Sequence, residues 1–479
     1  MIRLRELPRF RTVLIVGAAI RIAIAPFFAH VVDVFHWYEI GTSFFQGTIP
    51  LSNFFTPYQY SFFLFLFPGT LLFDIVSKLV PSGVIQMSSL NPALNPGPQW
   101  SVTLVPGLLF NLAFKLPLIL SDLLIGLLLY RTLLKISKDE RAATSVAALW
   151  ILNPLSIWIS SGWGMFDTLP ALFTILTLYM LLEGRIGVAS LSLVLAIAMK
   201  YYAVVLVFPF LLFVWRTRGR REMVKAATVS ALASAALFLP AALATSSNFL
   251  ALAGSGPSPV ARFYPGLSFW TAISLFLPNI NKTILSTAVF GAALLVSYWL
   301  LWRAPRNSGF LGLTLSFALP IASLLFAYRF VAENFFIWIL PMAALLCVGD
   351  SRGQKIYWSL SIVALLSSVT DSLLPYYMLP MAPWIGGFLV GLLALANPYR
   401  TGTTGPAVTG LTIGKAYLAA IGLLAGALLV LMVRQWLSGS RGQILDPAGG
   451  SEAVTSSIAP RSTCLPVSAS LSSDDTQGV

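Results

Sequence analysis

The chain has 479 residues, is 57% hydrophobic and 10% charged, and has a mean hydropathy of +0.83. Soluble domains carry about 25% charged residues, so a water-soluble globular protein is excluded. The net charge of +13 does not point to nucleic acid, because Lys and Arg gather in the cytoplasmic loops of multi-span proteins and make such chains basic by themselves.

Many apolar runs approach the roughly 20 residues that cross a bilayer as helix. Strand-period alternation is scarce, which argues against a membrane β-barrel. The expected fold class is therefore an all-α polytopic membrane protein. Cys347, Cys464, His30 and His36 form no cluster with zinc-ligand spacing. One cysteine lies in an apolar helix and the other in a polar tail, so a disulfide has no support.

Arg3, Arg5, Arg9 and Arg11 precede the first apolar run and predict a cytoplasmic N-terminus. That run, about 12–30, has no small-residue cleavage site and reads as a retained first helix. Residues 31–105 form the first external segment. Within it "PYQYSFFLFLFPGTLLFDIVSKLV" is apolar enough to span, yet a crossing there would place Arg131, Lys135, Lys138 and Arg141 outside. It reads instead as interfacial helix. Helices follow at about 106–134, 142–160 and 168–183, then a pair of short apolar pieces hinged at Lys200–Tyr202, then the basic run "RTRGRREMVK". A helix at about 226–243 leads to a second long external segment, 244–281. Helices near 283–302, 309–328, 334–349, 357–373, 379–396 and 413–433 bring the expected total to about thirteen. Residues 1–435 form one membrane domain. Residues 436–479 are rich in Ser, Gly and Pro without hydrophobic period and read as a disordered tail.

The polar residues sort by side. The outer side collects Asp33, His36, Glu39, Asp167, Arg262, Arg329, Glu333 and Asn334 from four separate segments. Ionisable groups at membrane level are costly and are functional candidates by default. Asp33, in "HVVDVFHWYE", could act as a general base if half desolvated, or could simply end a helix. His36 shares its face if the segment is helical. Asp167, in "WISSGWGMFDTLP", is either a helix N-cap followed by Pro170 or a carboxylate with small neighbours that leave room for a polar ligand. Lys115 and Asp122 lie two turns apart on one helix face, about 10.5 Å of rise, so each is expected to pair with a different helix. Lys200 could hold a phosphate as a point charge or snorkel to the interface. Arg262 could grip a phosphate with its fork. Arg329 and Glu333 are spaced for a local salt bridge.

The order of "FFQGTIPLSNFFTPYQY", "LILSDLLIGLLLYRTLL", "LWILNPLSIWISSGWGMFDTLP", "LAIAMKYYAVVLVFPF", "ARFYPGLSFW" and "YRFVAENFFIWILP" resembles the GT-C class of membrane glycosyltransferases. It is most similar to the first mannosyltransferase of GPI-anchor synthesis, and next to the glucosyltransferases of the N-glycan precursor. The resemblance implies a GT-C-like bundle and an inverting transfer of a hexose, mannose first, from a polyprenyl-(dolichyl-)phosphate sugar to a glycolipid or lipid-linked acceptor at the external or ER-lumenal face. It implies Asp33 as catalytic base and Asp167, Lys200, Glu333 and Asn334 as polar residues of the site; His36, Arg262 and Arg329 join the expected substrate-binding set on their own chemistry. The resemblance leaves a divalent metal open: the family's paired acids would favour one, but "VVDVFHWYE" supplies Asp33 alone. Relatives of this class also serve as non-catalytic subunits of larger complexes. A transporter of lipid or sugar is the other alternative, disfavoured by the absence of an internal repeat.

Overall fold

The computed structural model describes residues 9–45, 57–78, 85–94, 102–105, 107–244, 267, 269–270, 273, 282–303, 309–328, 331–371, 374–404 and 413–445. Helix α1 (Phe10–Ile24) ends where Pro26 removes a backbone donor. Helices α2 (Val31–Phe45) and α3 (Pro57–Ser77) and a two-residue antiparallel ladder, β1 (Ile85–Gln86) with β2 (Leu104–Val105), fill the segment expected to be interfacial. Pro68 lies inside α3 rather than breaking it. Gly69 beside it lets α3 approach α4 (Leu108–Ser137): a side chain there would begin 2.6 Å from the Ala113 carbonyl oxygen.

Helix α4 ends at Lys138 in a left-handed conformation. Asp139 then caps α5 (Glu140–Ile151), its carboxylate accepting from the backbone N–H groups of Arg141 and Ala142 at 2.8 and 3.2 Å. The expected single helix over 142–160 is broken. Asn153 caps a new short helix, α6 (Pro154–Ile157), with Pro154 at its first position. The chain bends by 48° there and continues as a π-helical turn over Trp158–Trp163, ending at Gly164 with φ +86°. Helices α7 (Thr168–Leu182) and α8 (Ile186–Met199) follow. Lys200 is extended, Tyr201–Leu206 is 3-10, and α9 (Val207–Arg218) resumes the path, which is the hinge expected at Lys200–Tyr202.

Helices α10 (Arg220–Ala244), α11 (Lys282–Arg303) and α12 (Gly309–Ala327) come next. A 3-10 stretch (Glu333–Trp338) leads into α13 (Leu340–Leu346), α14 (Ser351–Asp371), α15 (Leu374–Tyr377), α16 (Ala382–Thr404) and α17 (Ile413–Leu445). The tail expected from residue 436 thus begins as helix; residues 446–479 lie outside those described. The core runs between α4, α5, α7, α8, α12 and α13, around the buried Trp150, Phe210, Phe317 and Tyr357.

The protein is an all-α polytopic membrane protein. Among the described residues six helices are long and apolar enough to cross a bilayer, or seven if the bent 140–163 pair is one span. The expected count was about thirteen. Part of the difference comes from breaks at Asn153–Pro154 and around Glu333–Trp338, which divide apolar stretches, and from apolar helices too short to cross alone, such as α7 and α8.

Candidate functional site

An arginine in the last turn of α1 organises the centre of the bundle. The Arg21 Nε donates to Asp122 Oδ2 at 2.7 Å. Its Nη1 donates to the carbonyls of Gly17 and Ile151 at 3.1 and 2.6 Å, and its Nη2 to Ser156 Oγ at 2.9 Å. The break after α5 leaves the Ile151 carbonyl without a helical partner, and Arg21 supplies one. Asp122 Oδ2 also accepts from Ser160 at 3.0 Å, and the Asp122 backbone carbonyl accepts from Trp150 Nε1 at 2.9 Å. Arg21 and Asp122 are fully buried. The expectation that Asp122 pairs with another helix thus holds, but Arg21 was not among the candidate residues. The available signal was a single arginine inside the apolar run "VGAAIRIAIA".

Lys115, two turns before Asp122, is fully buried as well. Its ammonium donates to the carbonyls of Ala25 at 3.0 Å, Phe28, Ser161 at 2.9 Å and Gly162 at 3.4 Å. These oxygens belong to the unwound end of α1 and to the π-helical turn, where carbonyls are free of intrahelical bonds. Lys115 therefore pins the "SSGWG" turn from beneath. Gly164 is required there twice over, for its positive φ and because a side chain would start 2.7 Å from Lys115 Cε.

Asp167 sits one residue before α7 but makes no capping bond. Its carboxylate turns inward: Oδ1 accepts from Lys200 Nζ and Trp338 Nε1, both at 2.6 Å, and Oδ2 from Asn334 Nδ2 at 2.5 Å. Lys200 lies about the ring centres of Phe166, Phe335 and Trp338 at 5.0, 4.9 and 5.4 Å. Three of the expected residues, Asp167, Lys200 and Asn334, are thus brought together, with aromatic walls and with Asp167 fully buried. Glu333, next in chain to Asn334, turns instead towards α14, where Ser367 Oγ donates to its Oε1 at 2.7 Å.

Asp33 stands apart from this buried cluster, on α2. Its Oδ2 accepts from Trp163 Nε1 at 2.7 Å and lies 2.8 Å from His30 Nδ1. His30 stacks on Trp163 with ring centres 5.0 Å apart, and Tyr377 closes over both. Burial pushes the Asp33 carboxyl up, but the His30 charge, hydrogen bonds from His30 and Trp163, and the more distant Lys200 outweigh it and hold the carboxyl below its ordinary value. His30, three residues before Asp33, is the partner where His36 was expected. The His36 side chain, Arg262 and Arg329 lie outside the described residues. Among the described residues no group of three or more His, Cys, Asp or Glu is placed to hold a metal ion.

A family model described as PIG-U, the GPI transamidase subunit PIG-U, matches residues 97–256, about a third of the chain. The match runs from before α4 to beyond α10 and so covers Lys115, Asp122, Asp167 and Lys200. It overturns the mannosyltransferase resemblance. The similarity is to a subunit of the GPI transamidase rather than to a glycosyltransferase. With it go the GT-C assignment, the hexosyltransferase activity, Asp33 as catalytic base, and the polyprenyl-phosphate sugar donor and lipid-linked acceptor as partners. The geometry agrees with this at one place: Asp167 is held by Lys200 and Asn334 inside the bundle.

Proposed function

We propose that this chain is a non-catalytic membrane subunit of a GPI-transamidase-type complex, in the ER membrane, with its N-terminus and basic end in the cytoplasm. The observation that carries this reading is the PIG-U match over residues 97–256. The interior supports it. Asp122 and Asp167 are buried and held by Arg21 and by Lys200, Asn334 and Trp338, an arrangement that fixes helix positions. Asp33, on α2, stays partly open at 27%, and Glu39 is exposed. In this reading Asp167, Lys200, Asn334 and Glu333 shape the subunit. The bias of Lys and Arg to one end of the bundle supports the orientation.

The test is affinity purification of the tagged full chain from native membranes in a mild detergent, followed by mass spectrometry and a transfer assay. The reading predicts recovery with other GPI transamidase subunits, and no hexose transfer from mannosyl- or glucosyl-phosphoryl polyprenol by the chain alone. Recovery of a lone chain that transfers hexose would overturn it.

A further inference from the structure

The basic run "RTRGRREMVK" is not used by any of the buried networks. It lies at the junction of α9 and α10, where α11 also ends. The contacts there are specific. Arg216 Nη1 donates to the Leu301 carbonyl at 2.8 Å and its Nη2 to the Trp302 carbonyl, so it caps the end of α11. Its guanidinium lies over the Trp302 ring at 5.8 Å, and that of Arg303 over the Trp299 ring at 5.6 Å. Trp215 meets Trp302 with ring centres 5.7 Å apart. Arg218 reaches the α7–α8 turn: its Nη2 is 2.9 Å from where a side chain on Gly184 would begin. Arg185, Arg218, Arg220, Arg221 and Arg303 thus gather at one end of the bundle. The acids of the same region are already bridged by lysines, Glu183 by Lys135 at 2.8 Å and Glu222 by Lys225 at 2.5 Å. The positive charge of the arginines is therefore not cancelled locally.

The tryptophans set the depth. Trp215, Trp299 and Trp302 are 40%, 55% and 51% exposed, at the ends of two apolar helices. Tryptophan at such places sits at headgroup level. Arginines stacked on those rings are held at the depth of lipid phosphates. A guanidinium matches a phosphate with two parallel donors, and stacking on a ring orders it before the ligand arrives. Clusters of this size beside membrane helices attract anionic lipids.

We propose that the ends of α9 and α11 with the start of α10 form a binding site for the phosphate headgroup of an anionic phospholipid. Arg303, held over Trp299, grips the phosphate, Arg218 and Arg221 add positive charge at the same end of the bundle, Trp299 and Trp302 carry the glycerol end, and Arg216 is a positioning residue that holds Trp302 in place. This site stands whether or not the chain is a transamidase subunit.

The experiment uses the purified full chain in neutral detergent. Thermal unfolding is followed with added phosphatidylcholine, phosphatidylserine, phosphatidylinositol, inorganic phosphate or a poly-glutamate peptide, and native mass spectrometry counts retained lipids on the folded fraction. The two anionic lipids raise the melting temperature; phosphatidylcholine, free phosphate and the acidic peptide do not. The double variant Arg221→Gln/Arg303→Gln, which leaves the Arg216 cap intact, loses at least half of the shift and of the retained anionic lipid. Lys78→Gln, on a different segment, keeps both. An equal rise with phosphatidylcholine, an undiminished response in the double variant, or a response to the acidic peptide alone would each overturn the site.

Discussion

Helices α4 and α10 are both long and apolar enough to cross a bilayer, yet 56% of the apolar window of α4 is buried against 6% for α10. Both pass as spans by hydropathy. Their polar residues separate them well: α4 carries Asn111, Lys115, Ser121 and Asp122 along its buried side, whereas α10 confines its charges to its first turns. A charge in mid-membrane survives where partners surround it, so such charges mark the helices that lie inside the bundle. The outer helices are left to meet lipid or other proteins. The buried charges of this molecule are thus explained first by architecture.

The comparison breaks most sharply at Asp122. Asp122→Ala leaves Arg21 buried and uncompensated, a change that costs about 3–5 kcal/mol. The variant should be lost from the monodisperse fraction on size-exclusion chromatography in detergent. Arg21→Met combined with Asp122→Leu should recover much of the loss, because no charge is then left unpaired; a double variant as poor as the single one would mean that the pair is not the cause.

Asp167→Asn comes next. It keeps the shape and removes the charge opposite Lys200, and about 1.5–3 kcal/mol is expected for a lost charge-assisted bond. Lower thermal stability, partly restored by Lys200→Met, would support the pairing.

Asp33 offers a smaller, pH-dependent effect at the edge of the bundle. Its carboxyl is held below the ordinary value when folded. The unfolded chain therefore binds the proton more readily, and the stabilisation is present above about pH 4 and lost as the pH falls through the lower folded value. Melting temperatures measured from pH 6 to pH 3 should fall more steeply for the wild type than for Asp33→Asn. The smallest effect belongs to the outer surface: Leu232→Ala, at a 66% exposed position on α10, should change stability by no more than about 0.5 kcal/mol.

Much of the helical order was legible because apolar runs, proline and glycine act locally. The hinge at Lys200–Tyr202 and the helices over 168–183, 283–302 and 309–328 agree with the structure to within a few residues. The break at Asn153–Pro154 was written in its own capping signal but was read through. Pairings were less legible. Arg21 and Asp122 are 101 positions apart, and Asp167 meets Asn334 and Trp338 from 167 and 171 positions away. No local pattern states that a carboxylate will be saturated by such distant donors. Asp167, Lys200 and Asn334, all expected in one site, meet in the structure. A shared order of segments speaks for a common fold, while the chemistry depends on whether the polar groups face a substrate or one another.

The central claim is that the chain supports a complex without performing a transfer itself, and Asp33→Asn tests it most directly. In cells from which the endogenous chain has been removed, surface display of a GPI-anchored reporter would be measured after expressing the wild type or the variant at matched levels. The account predicts that both restore the reporter and that both co-purify with the same partners. A variant that folds and co-purifies with those partners but leaves the reporter unrestored would contradict it.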